Sequence, residues 1–448
     1  MRRVLLLIRV IVSGLAASFL LSNAAWAELV VMQGPVTMRT ASLWVQADEP
    51  GQVGIEYRAD KQASQLRQTD PVSLSAQQDY SAKLNLTDLM PGETYLYRVL
   101  QDGRPVRDGR FSTLPAWRSS GRPFDFTVYF GTCAFLQDST WDWGPSYGGE
   151  YEIFDHIAAQ ALDHPQPSFM LWGGDTVYYR EADYESPWGM NARQRAVRHH
   201  SALQKLLTAL PHYAIWDDHD YGPNDSNRSF VFKDASLVLF QRYWANPSYG
   251  LPGGPGIFTH FSVADADFFL LDDRWYRDHD RAADFPGKQL YGPEQISWLK
   301  NALLASRARF KLIVGGSQFL VERSTAEGWQ HFPGERQGLL DWLVQNRING
   351  VLFLSGDRHR TELLKVERPG TYPLYELTCS PLTSHPRKAG EEAGNLQRVA
   401  GTLTEQRNFC TLEFGGENAE RSLTLRSFDS AGKKLWQVSV PAEELRQR

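Results

Sequence analysis

The sequence predicts an α/β domain preceded by a small all-β sandwich domain, and three observations lead to this fold class. Residues 28–115 alternate apolar and polar side chains, as half-buried strands do. From residue 123 to residue 448, apolar strands alternate with amphipathic helical stretches, which is typical of sheets whose outer faces are covered by helices. Between the two regions, the segment TLPAWRSSGRP has the composition of a linker. A chain of 448 residues is long enough for two such domains.

Residues 1–27 have the features of a secretory signal peptide. A basic start and an apolar stretch lead to the ending Ala25-Trp26-Ala27, which predicts cleavage before Glu28. A membrane anchor is the alternative, although Arg9 interrupts the apolar run. The paired arginines near the start also fit a twin-arginine signal. We therefore expect a periplasmic or secreted protein, exported by the Sec or the twin-arginine route, with no integral membrane segment after cleavage.

The charge of the chain argues against one class of partner. The formal net charge is −5, and the predicted signal contains three arginines and no acidic residue, so its removal changes the charge to −8. Such a surface repels the phosphate backbone, so we expect no binding of duplex nucleic acid through a basic face. A local positive site then has to come from metal ions.

The N-terminal region predicts a sandwich of the fibronectin type III or immunoglobulin-like kind. The stretch ASLWVQADEPGQVGIEYR predicts two strands that pair across a turn at Pro50-Gly51. Farther on, LTDLMPGETYLYRV, which contains Tyr95, resembles the corner and the following strand of such sandwiches. Asp102-Gly103 predicts a hairpin turn. A sandwich of this size is usually a spacer or a packing partner, so we assign it no chemistry.

Six apolar segments predict the strands of the α/β domain, namely FDFTVYFGTC, PSFMLWGGD, HYAIWDD, ADFFLLDDR, FKLIVGGSQ and GVLFLSGDRH. Helices are predicted at EYEIFDHIAAQAL, PEQISWLKNALLAS and GERQGLLDWLVQN, and the C-terminal region returns to alternating strands. Residues 180–210 and 384–408 are polar, and we expect loops there that form the walls of a substrate pocket.

Each of the six strands ends in a polar cluster. In open α/β sheets, ligands bind beyond the carboxyl ends of the strands, so the clusters converge if the strands are mainly parallel. Taken singly, each cluster has an ordinary structural explanation, such as a turn, a helix cap or a buried thiol. Their repetition at one edge favours a functional site. The clusters are Gly131-Thr132-Cys133, residues 173–178, residues 217–220, Asp272-Asp273-Arg274, Ser317-Gln318 and residues 356–359.

The segment IWDDHDYGPND, residues 215–225, places four acidic side chains at one of these strand ends. Neighbouring carboxylates disfavour ionisation of one another unless cations lie among them. The composition therefore predicts a site for two or more metal ions. A thiolate and a phenolate at Cys133 and Tyr178 suit a redox metal such as Fe(III), with Zn²⁺ as the alternative, whereas carboxylates and the Asn224 carbonyl suit Ca²⁺, Mg²⁺ or Mn²⁺.

Three cysteines, Cys133, Cys379 and Cys410, are an odd number for an exported protein. Cys379 and Cys410 lie on predicted strands and can form one disulfide, which leaves Cys133 for a separate role. Three buried free thiols are the alternative.

Seven motifs resemble, in order, those of the alkaline phosphatase D family, a branch of the metallophosphoesterases. They cover about residues 123–385, and the predicted sandwich precedes them where that family often carries one. The resemblance implies a four-layer α/β/β/α metallophosphatase core that binds Fe(III) and Ca²⁺. The motifs are FGTCAF, GGDTVYYR, WDDHDYGPND, LLDDRWYR, GGSQF, EGWQHFPGERQGLLDWL and SGDRHRTEL.

The resemblance also implies roles for individual residues. Asp175 would bridge the two ions, His219 would act on the leaving oxygen, and Arg358 would contact phosphate. Two positions depart from the family pattern, since Asp225 replaces a frequent asparagine and Gln318 stands where a histidine is common. The implied set is Cys133, Asp175, Tyr178 and His359 around iron, Asp218, Asn224 and Asp357 around calcium, and His219 and Arg358 in catalysis.

The implied reaction is hydrolysis of a phosphomonoester or phosphodiester by a metal-held hydroxide, with His219 protonating the departing oxygen. The alternative within this chemistry is a phospholipase D-like phosphodiesterase acting on phospholipids, teichoic acids or nucleotide diesters, because the motifs do not distinguish the number of ester bonds. An alternative of another class is a degenerate scaffold that binds the cell wall, against which the intact set of acids and histidines argues. We expect a monomer.

Overall fold

The computed structural model describes residues 29–61, 65–118, 121–138, 140, 142, 146–164, 166–322 and 324–447. The predicted signal peptide, residues 1–27, lies outside the described residues. Within the described part of the N-terminal region, the strands are β1 (Val30–Val36), β2 (Ala41–Gln46), β3 (Gly51–Ala59), β4 (Arg67–Gln68), β5 (Val72–Leu74), β6 (Ser81–Leu86), β7 (Thr94–Gln101) and β8 (Arg104–Ser112).

These strands form a sandwich of two sheets. β1, β2 and β6 make one sheet, and β3, β4, β5, β7 and β8 make the other. The predicted pairing across Pro50-Gly51 is wrong, because β2 and β3 lie in different sheets; alternation shows that a strand has one buried face but not which sheet it joins. The hairpin turn is confirmed, since Asp102 and Gly103 join β7 to β8 with φ of 49° and 75°. The corner is confirmed as well, since the Met90 backbone N–H donates to the Tyr95 hydroxyl at 2.8 Å.

After the sandwich, the chain alternates between strands and helices, and all six predicted apolar segments and all three predicted helices are confirmed. The elements are β9 (Phe126–Gly131), α1 (Glu152–Asp163), β10 (Ser168–Gly173), α2 (Glu181–Tyr184), α3 (Pro187–His199), α4 (Gln204–Ala209), β11 (His212–Ile215), α5 (Asp218–Tyr221), α6 (Lys233–Tyr243), β12 (Thr259–Val263), β13 (Ala266–Leu270), α7 (Pro293–Ala305), β14 (Phe310–Val314), α8 (Pro333–Gln345), β15 (Val351–Ser355), β16 (Glu362–Val366), β17 (Leu374–Thr378), β18 (Asn408–Gly415), β19 (Ser422–Asp429) and β20 (Lys434–Pro441).

The prediction of loops in residues 180–210 is wrong, because α2, α3 and α4 occupy most of this segment. The polar composition of this segment does not reveal that α3 begins there. The Ser186 hydroxyl accepts the Gly189 backbone N–H at 3.0 Å, and Pro187 occupies the first helical position, where its missing N–H is not needed. None of the helices in the described residues combines the length and the apolar character needed to cross a membrane.

Two six-stranded sheets form the centre of the α/β domain. The first has the order β11-β10-β9-β18-β19-β20, in which β9, β10 and β11 are parallel and the other three strands are antiparallel additions. The second has the order β12-β13-β14-β15-β17-β16, with β13, β14, β15 and β17 parallel. The six strands that carry polar clusters therefore all belong to the parallel parts of the two sheets.

The two sheets face each other across an apolar core. Phe169 of β10 meets Phe268 of β13 with ring centroids 5.3 Å apart. On the opposite side of β10, Trp172 contacts Phe154 of α1 at 6.2 Å, so this helix covers the outer face of the first sheet. Helices α7 and α8 contribute Leu299, Leu303, Leu339 and Leu343 to the same core. The order of the layers is α/β/β/α, as the resemblance implies.

The sandwich packs directly on the α/β domain, so it is a packing partner and not a spacer. Trp44 of β2 is buried in the main core, and its Nε1 donates to the Arg242 carbonyl oxygen at 2.8 Å. Lys83 Nζ donates to the Tyr249 hydroxyl at 2.7 Å. Removing the sandwich would therefore expose apolar surface of the larger domain.

A disulfide joins Cys379 and Cys410, which confirms the predicted pairing. Cys379 directly follows β17 of the second sheet, and Cys410 lies in β18 of the first, so the bond links the two central sheets. Cys133 is a buried free thiol. The alternative of three free thiols is thereby excluded.

Candidate metal centre

Loops that follow β9, β10 and β11 of the first sheet meet the loop that follows β15 of the second. Together with Glu327, from the loop that follows β14, they form three groups among the described residues, within each of which the possible ligand atoms lie within 4.8 Å of one another. Asp175 belongs to two of the groups, and the convergence expected from the strand ends is therefore present. The groups are Cys133, Asp175 and His359; Asp175, Asp218 and His219; and Asp217, Asp218 and Glu327.

The first group combines a thiol, a carboxylate and an imidazole, with a phenol beside them. Cys133 Sγ is 3.7 Å from Asp175 Oδ2, and the Tyr178 hydroxyl donates to the same oxygen at 3.2 Å. This hydroxyl also lies 3.4 Å from His359 Nε2. His359 Nδ1 is 2.6 Å from the His385 carbonyl oxygen, which fixes the ring with Nε2 towards the group. The four residues that the resemblance assigns to iron are thus brought together.

The second group lies beside the first and consists mainly of oxygen ligands. His219 Nε2 is 3.9 Å from Asp218 Oδ2, and its ring packs on Tyr178 with centroids 4.3 Å apart. The His219 backbone N–H donates to Asp175 Oδ1 at 3.2 Å, so one oxygen of Asp175 faces each group. Asp357 is half-buried, and its charge and that of Asp218 act on each other.

Burial disfavours the ionised forms of these donors. It raises the pKa of the Cys133 thiol to about 12 and that of the Asp357 carboxyl to about 6. The pKa of Asp175 rises well above its ordinary value through burial and through the charge of Asp218. At Asp218 itself, a neighbouring imidazole and a guanidinium outweigh burial and hold the pKa below its usual range. A bound cation would reverse the upward shifts, because it stabilises the ionised ligand.

The residues fit a pair of metal ions. Asp218 Oδ1 and Asp217 Oδ2 are buried and accept no hydrogen bond from the residues that the structure describes. Such oxygens are rare in proteins because they have lost water without gaining a partner, and a cation supplies the missing partner. The thiol and phenol suit a redox ion, and the carboxylates suit a hard ion.

Asp220 holds the loop that carries Asp175 in place. Its Oδ1 accepts the backbone N–H groups of Thr176 and Val177 at 3.0 and 2.8 Å. Its Oδ2 accepts those of Asp175 and Asp217 at 2.5 and 3.0 Å. Sequence reasoning gave Asp220 no role, and its place in the acidic segment was the only signal that pointed to it.

A buried arginine neutralises the third group. Arg274 is fully buried, and its Nε donates to Asp217 Oδ1 at 2.8 Å. Two further nitrogens donate to the Glu327 carboxylate at 3.0 and 2.7 Å. The sequence predicts a polar cluster at 272–274, but local spacing does not indicate that the Arg274 side chain contacts Asp217. This network holds Asp217 and Glu327 in place beside Asp218.

Four donors have a backbone conformation that non-glycine residues rarely adopt. The φ angles of Cys133, Asp175, Asp357 and His359 are 57°, 54°, 64° and 52°. Each left-handed residue destabilises the fold by about 1 kcal/mol or more, so the surrounding structure has to impose it. Because all four lie in the turns that follow strands, this conformation is part of how the donors are aimed at one point. Such clustering is typical of functional sites.

Two predicted site residues occupy other positions. Asn224 is exposed in the turn that follows α5. Arg358 is buried, and its guanidinium donates to Glu392. Arg358 is therefore directed to a carboxylate of its own chain, and the role of Asn224 stays a prediction.

The two departures from the family pattern have clear structural partners. Gln318 is buried and its Nε2 donates to Glu362 at 3.0 Å and to Thr378 at 2.9 Å, so it belongs to a polar network between strands. Asp225 donates its backbone N–H to Asp218 Oδ2 at 2.8 Å, a contact that does not depend on its side chain.

Two other arginines act on the donors electrostatically and were not predicted. Burial lowers the pKa of His219, and the charge of Arg180, which follows the Tyr178 motif, lowers it further. Burial and the charge of Arg387 lower the pKa of His359 to about 4. Arg387 is exposed, and its backbone N–H donates to the His359 carbonyl oxygen at 2.8 Å. The Arg180 guanidinium lies 5.8 Å from the centre of the Phe135 ring, which itself packs on Tyr178.

Sequence models of protein families match both parts of the chain. The model described as PhoD-like phosphatase matches residues 133–419. The chain belongs to the PhoD-like phosphatase family. A second model, PhoD-like phosphatase, N-terminal domain, matches residues 18–115, which include the sandwich. These matches confirm the resemblance to the alkaline phosphatase D family.

Individual relatives agree with this assignment. The chain is 25% identical over 329 residues to alkaline phosphatase D of Bacillus subtilis (strain 168), which is 62% of this chain and 53% of that protein. The chain thus spans about half the length of this curated relative. A solved structure titled "Structure of PhoD" has a TM-score of 0.71 at 19% identity and 92% coverage of both chains. A purple acid phosphatase from yellow lupin seeds has a TM-score of 0.67 at 12% identity, covering 92% of this chain and 74% of that one. The two structures confirm the metallophosphatase fold.

Proposed function

We propose that this chain is a metal-dependent hydrolase of phosphoesters, of the kind that the name of its Bacillus subtilis relative denotes. The observation that carries the proposal is the position of Asp175, whose two oxygens face two donor groups of different chemical character. A bridging carboxylate is what a two-metal phosphoesterase needs, because both ions have to reach one phosphate. Membership of the PhoD-like phosphatase family supports the reaction class.

We infer Fe(III) at the first donor group and Ca²⁺ at the second, with Zn²⁺, Mn²⁺ or Mg²⁺ as possible substitutes. Asn224 is the one exposed member of the implied set. When bound, the ions supply an activated water and neutralise charge on the phosphate. The first ion would be held by Cys133, Asp175, Tyr178 and His359, and the second by Asp175, Asp218, Asn224 and Asp357.

His219 is the residue that we assign to the leaving oxygen. Its ring is held against Tyr178, and its Nδ1 is buried without a hydrogen-bond partner among the described residues. We assign Arg180 and Arg387 to the phosphate oxygens, because Arg180 lies over the Phe135 ring that packs on Tyr178 and the Arg387 backbone N–H donates to the His359 carbonyl oxygen. Arg358, which the resemblance places on phosphate, is already bound to Glu392.

The test is metal analysis by mass spectrometry on protein purified without chelators, together with hydrolysis of a monoester and a diester chromogen. Cys133→Ala and Tyr178→Phe should lose iron and visible absorption, because thiolate and phenolate bound to Fe(III) give charge-transfer colour. Tyr179→Phe is the matched control, since this neighbouring hydroxyl accepts from Gln194 at 2.9 Å, away from the donors. A colourless, fully active wild type would remove the iron assignment, and metal-loaded protein inactive on both chromogens would remove the proposed function.

We further propose that the protein is exported, with residues 1–27 as the signal. The support is the basic and apolar sequence that ends at Ala27. N-terminal sequencing of protein recovered from the periplasm or the medium should begin at Glu28. Intact protein that stays in the cytoplasm would contradict this assignment.

A further inference from the structure

A second concentration of buried positive charge lies next to the candidate metal centre. Arg358 and Arg360 flank His359 in sequence, and they are 5% and 4% exposed. Both guanidinium groups bind one carboxylate, that of Glu392. Ser324 completes the contact, because its hydroxyl accepts from Arg358 at 3.1 Å and donates to Glu392 at 2.8 Å. The two guanidinium groups therefore share the Glu392 carboxylate.

Glu362, another carboxylate near Arg360, does not replace Glu392 as its ion-pair partner. Glu362 lies 3.8 Å from Arg360, but it binds Arg398 more closely, at 2.6 and 2.7 Å. The Nε atoms of Arg358 and Arg360 are buried and have no hydrogen-bond partner in the described part of the chain. Each guanidinium group therefore keeps one N–H donor that a further acceptor can bind.

The two arginines line a cavity of about 970 Å³. Arg358 follows Asp357 and precedes His359 in the chain, so one wall of this cavity is continuous in sequence with two of the metal donors. Glu392 lies in a single 3-10 turn, Gly390–Gly394, in which no residue is buried. Arg398 holds the backbone of this turn by donating to the carbonyl oxygens of Glu392 and its neighbour at 2.8 Å. A change in the Glu392 side chain therefore alters the charge of the cavity while the turn keeps its anchor.

We propose that Arg358 and Arg360 form an anion subsite for a second negatively charged group of the substrate, and that the Glu392 carboxylate occupies this subsite in the free protein. Two guanidinium groups can bind a phosphate or carboxylate with several parallel hydrogen bonds. The substrates are then phosphoesters whose leaving group carries a further phosphate or carboxylate. Glu392 selects among them, because an incoming anion has to displace it. The substrate class rests on the proposed function, whereas the subsite rests on the arginine pair.

The test compares two non-hydrolysable probes, propylphosphonate and propane-1,3-bisphosphonate, by calorimetric titration of metal-loaded protein. Glu392→Gln keeps the shape of the side chain and removes its charge. This variant should increase the affinity for the bisphosphonate at least tenfold and leave the affinity for propylphosphonate unchanged. Glu391→Gln is the matched control, because Glu391 lies in the same exposed turn and lines the same cavity. Adding Arg360→Gln to Glu392→Gln should abolish the gain.

The outcomes separate the two proposals. Equal bisphosphonate affinity in wild type and Glu392→Gln, or an equal gain in Glu391→Gln, would overturn the subsite. Selective tightening in protein that hydrolyses no phosphoester would retain the subsite and remove the proposed reaction. In active protein, the kcat/KM ratio for propane-1,3-diol bisphosphate over the monophosphate should rise about tenfold in Glu392→Gln. Thermal melting of each variant shows that the compared proteins are folded.

Discussion

Replacing Asp220 by asparagine should weaken both the fold and the metal centre. The carboxylate of Asp220 accepts four backbone N–H groups, two on each oxygen. An asparagine keeps one acceptor oxygen and turns an NH₂ group towards the other two N–H donors. Either orientation of the amide therefore breaks two hydrogen bonds, and one orientation releases the backbone of Asp175 itself.

The size of the effect follows from that count. A hydrogen bond to a charged group stabilises a protein by about 1.5–3 kcal/mol, so two lost bonds lower the free energy of unfolding by about 3–6 kcal/mol. The total stability of a domain is of the order of 5–15 kcal/mol, so the variant should fold with a much lower denaturation midpoint. Bound metal should fall in the same variant, because the Asp175 loop loses its anchor.

Urea denaturation followed by tryptophan fluorescence measures the first effect, and mass spectrometry of the purified protein measures the second. Asp163→Asn is the control, since Asp163 is exposed at the end of α1 and its change should stay within about 0.5 kcal/mol. An Asp220→Asn protein within about 1 kcal/mol of wild type and with full metal content would refute the role of this carboxylate.

Three further predictions concern catalysis, acid stability and the sandwich. His219→Ala should keep its metals and lose ~10²- to 10⁴-fold in turnover. The loss should be larger on alkyl esters than on nitrophenyl esters, because a nitrophenolate leaving group needs little protonation. Equal losses on the two kinds of ester would remove the role of His219 as the acid. Burial lowers the pKa of His212 from 6.5 to about 3, so the unfolded chain takes up a proton that the folded chain excludes, and stability should fall by ~2 kcal/mol between pH 8 and pH 5. His212→Gln should show a shallower decline in chemical denaturation at the two pH values, and an unchanged decline would contradict the burial of this charge. Trp44→Ala should lower the free energy of unfolding by about 3–5 kcal/mol while kcat and metal content stay unchanged, and a smaller loss would show that the sandwich is only loosely docked.

Near-continuous apolar runs made six strands of the α/β domain predictable, and two missed strands show why others were not. β16 and β17 contain the buried acids Glu362 and Glu376. Glu376 accepts the backbone N–H groups of Phe319 and Leu320 at 2.8 and 2.7 Å. Phe319 and Leu320 belong to a loop that is distant in sequence. The glutamate that they satisfy interrupts the apolar pattern of β17, which therefore does not resemble a buried strand.

The candidate site was predictable to the extent that its donors follow strands directly. Cys133, Asp175 and His359 all do so, and the direction of the strands brings them together. The supporting residues depend instead on the reach and direction of side chains across the fold. Arg274 extends to Asp217 from the other sheet, and Arg358 turns to Glu392, and neither choice is encoded in local spacing.

Because β9 pairs with β18, the first sheet cannot be completed until a late stage of synthesis. Phe130, from the first strand of the α/β domain, lies opposite Cys410, near the C-terminal end of the chain. A ribosome therefore releases the Cys133 and Asp175 loops long before the strand that closes the edge beside them. Until residues 408–415 emerge, β9 presents an open edge to any other extended chain. Completion of the first sheet has to wait until β18 is synthesised, and a nascent chain stalled before that point carries Cys133 and Asp175 without the strand that pairs with β9.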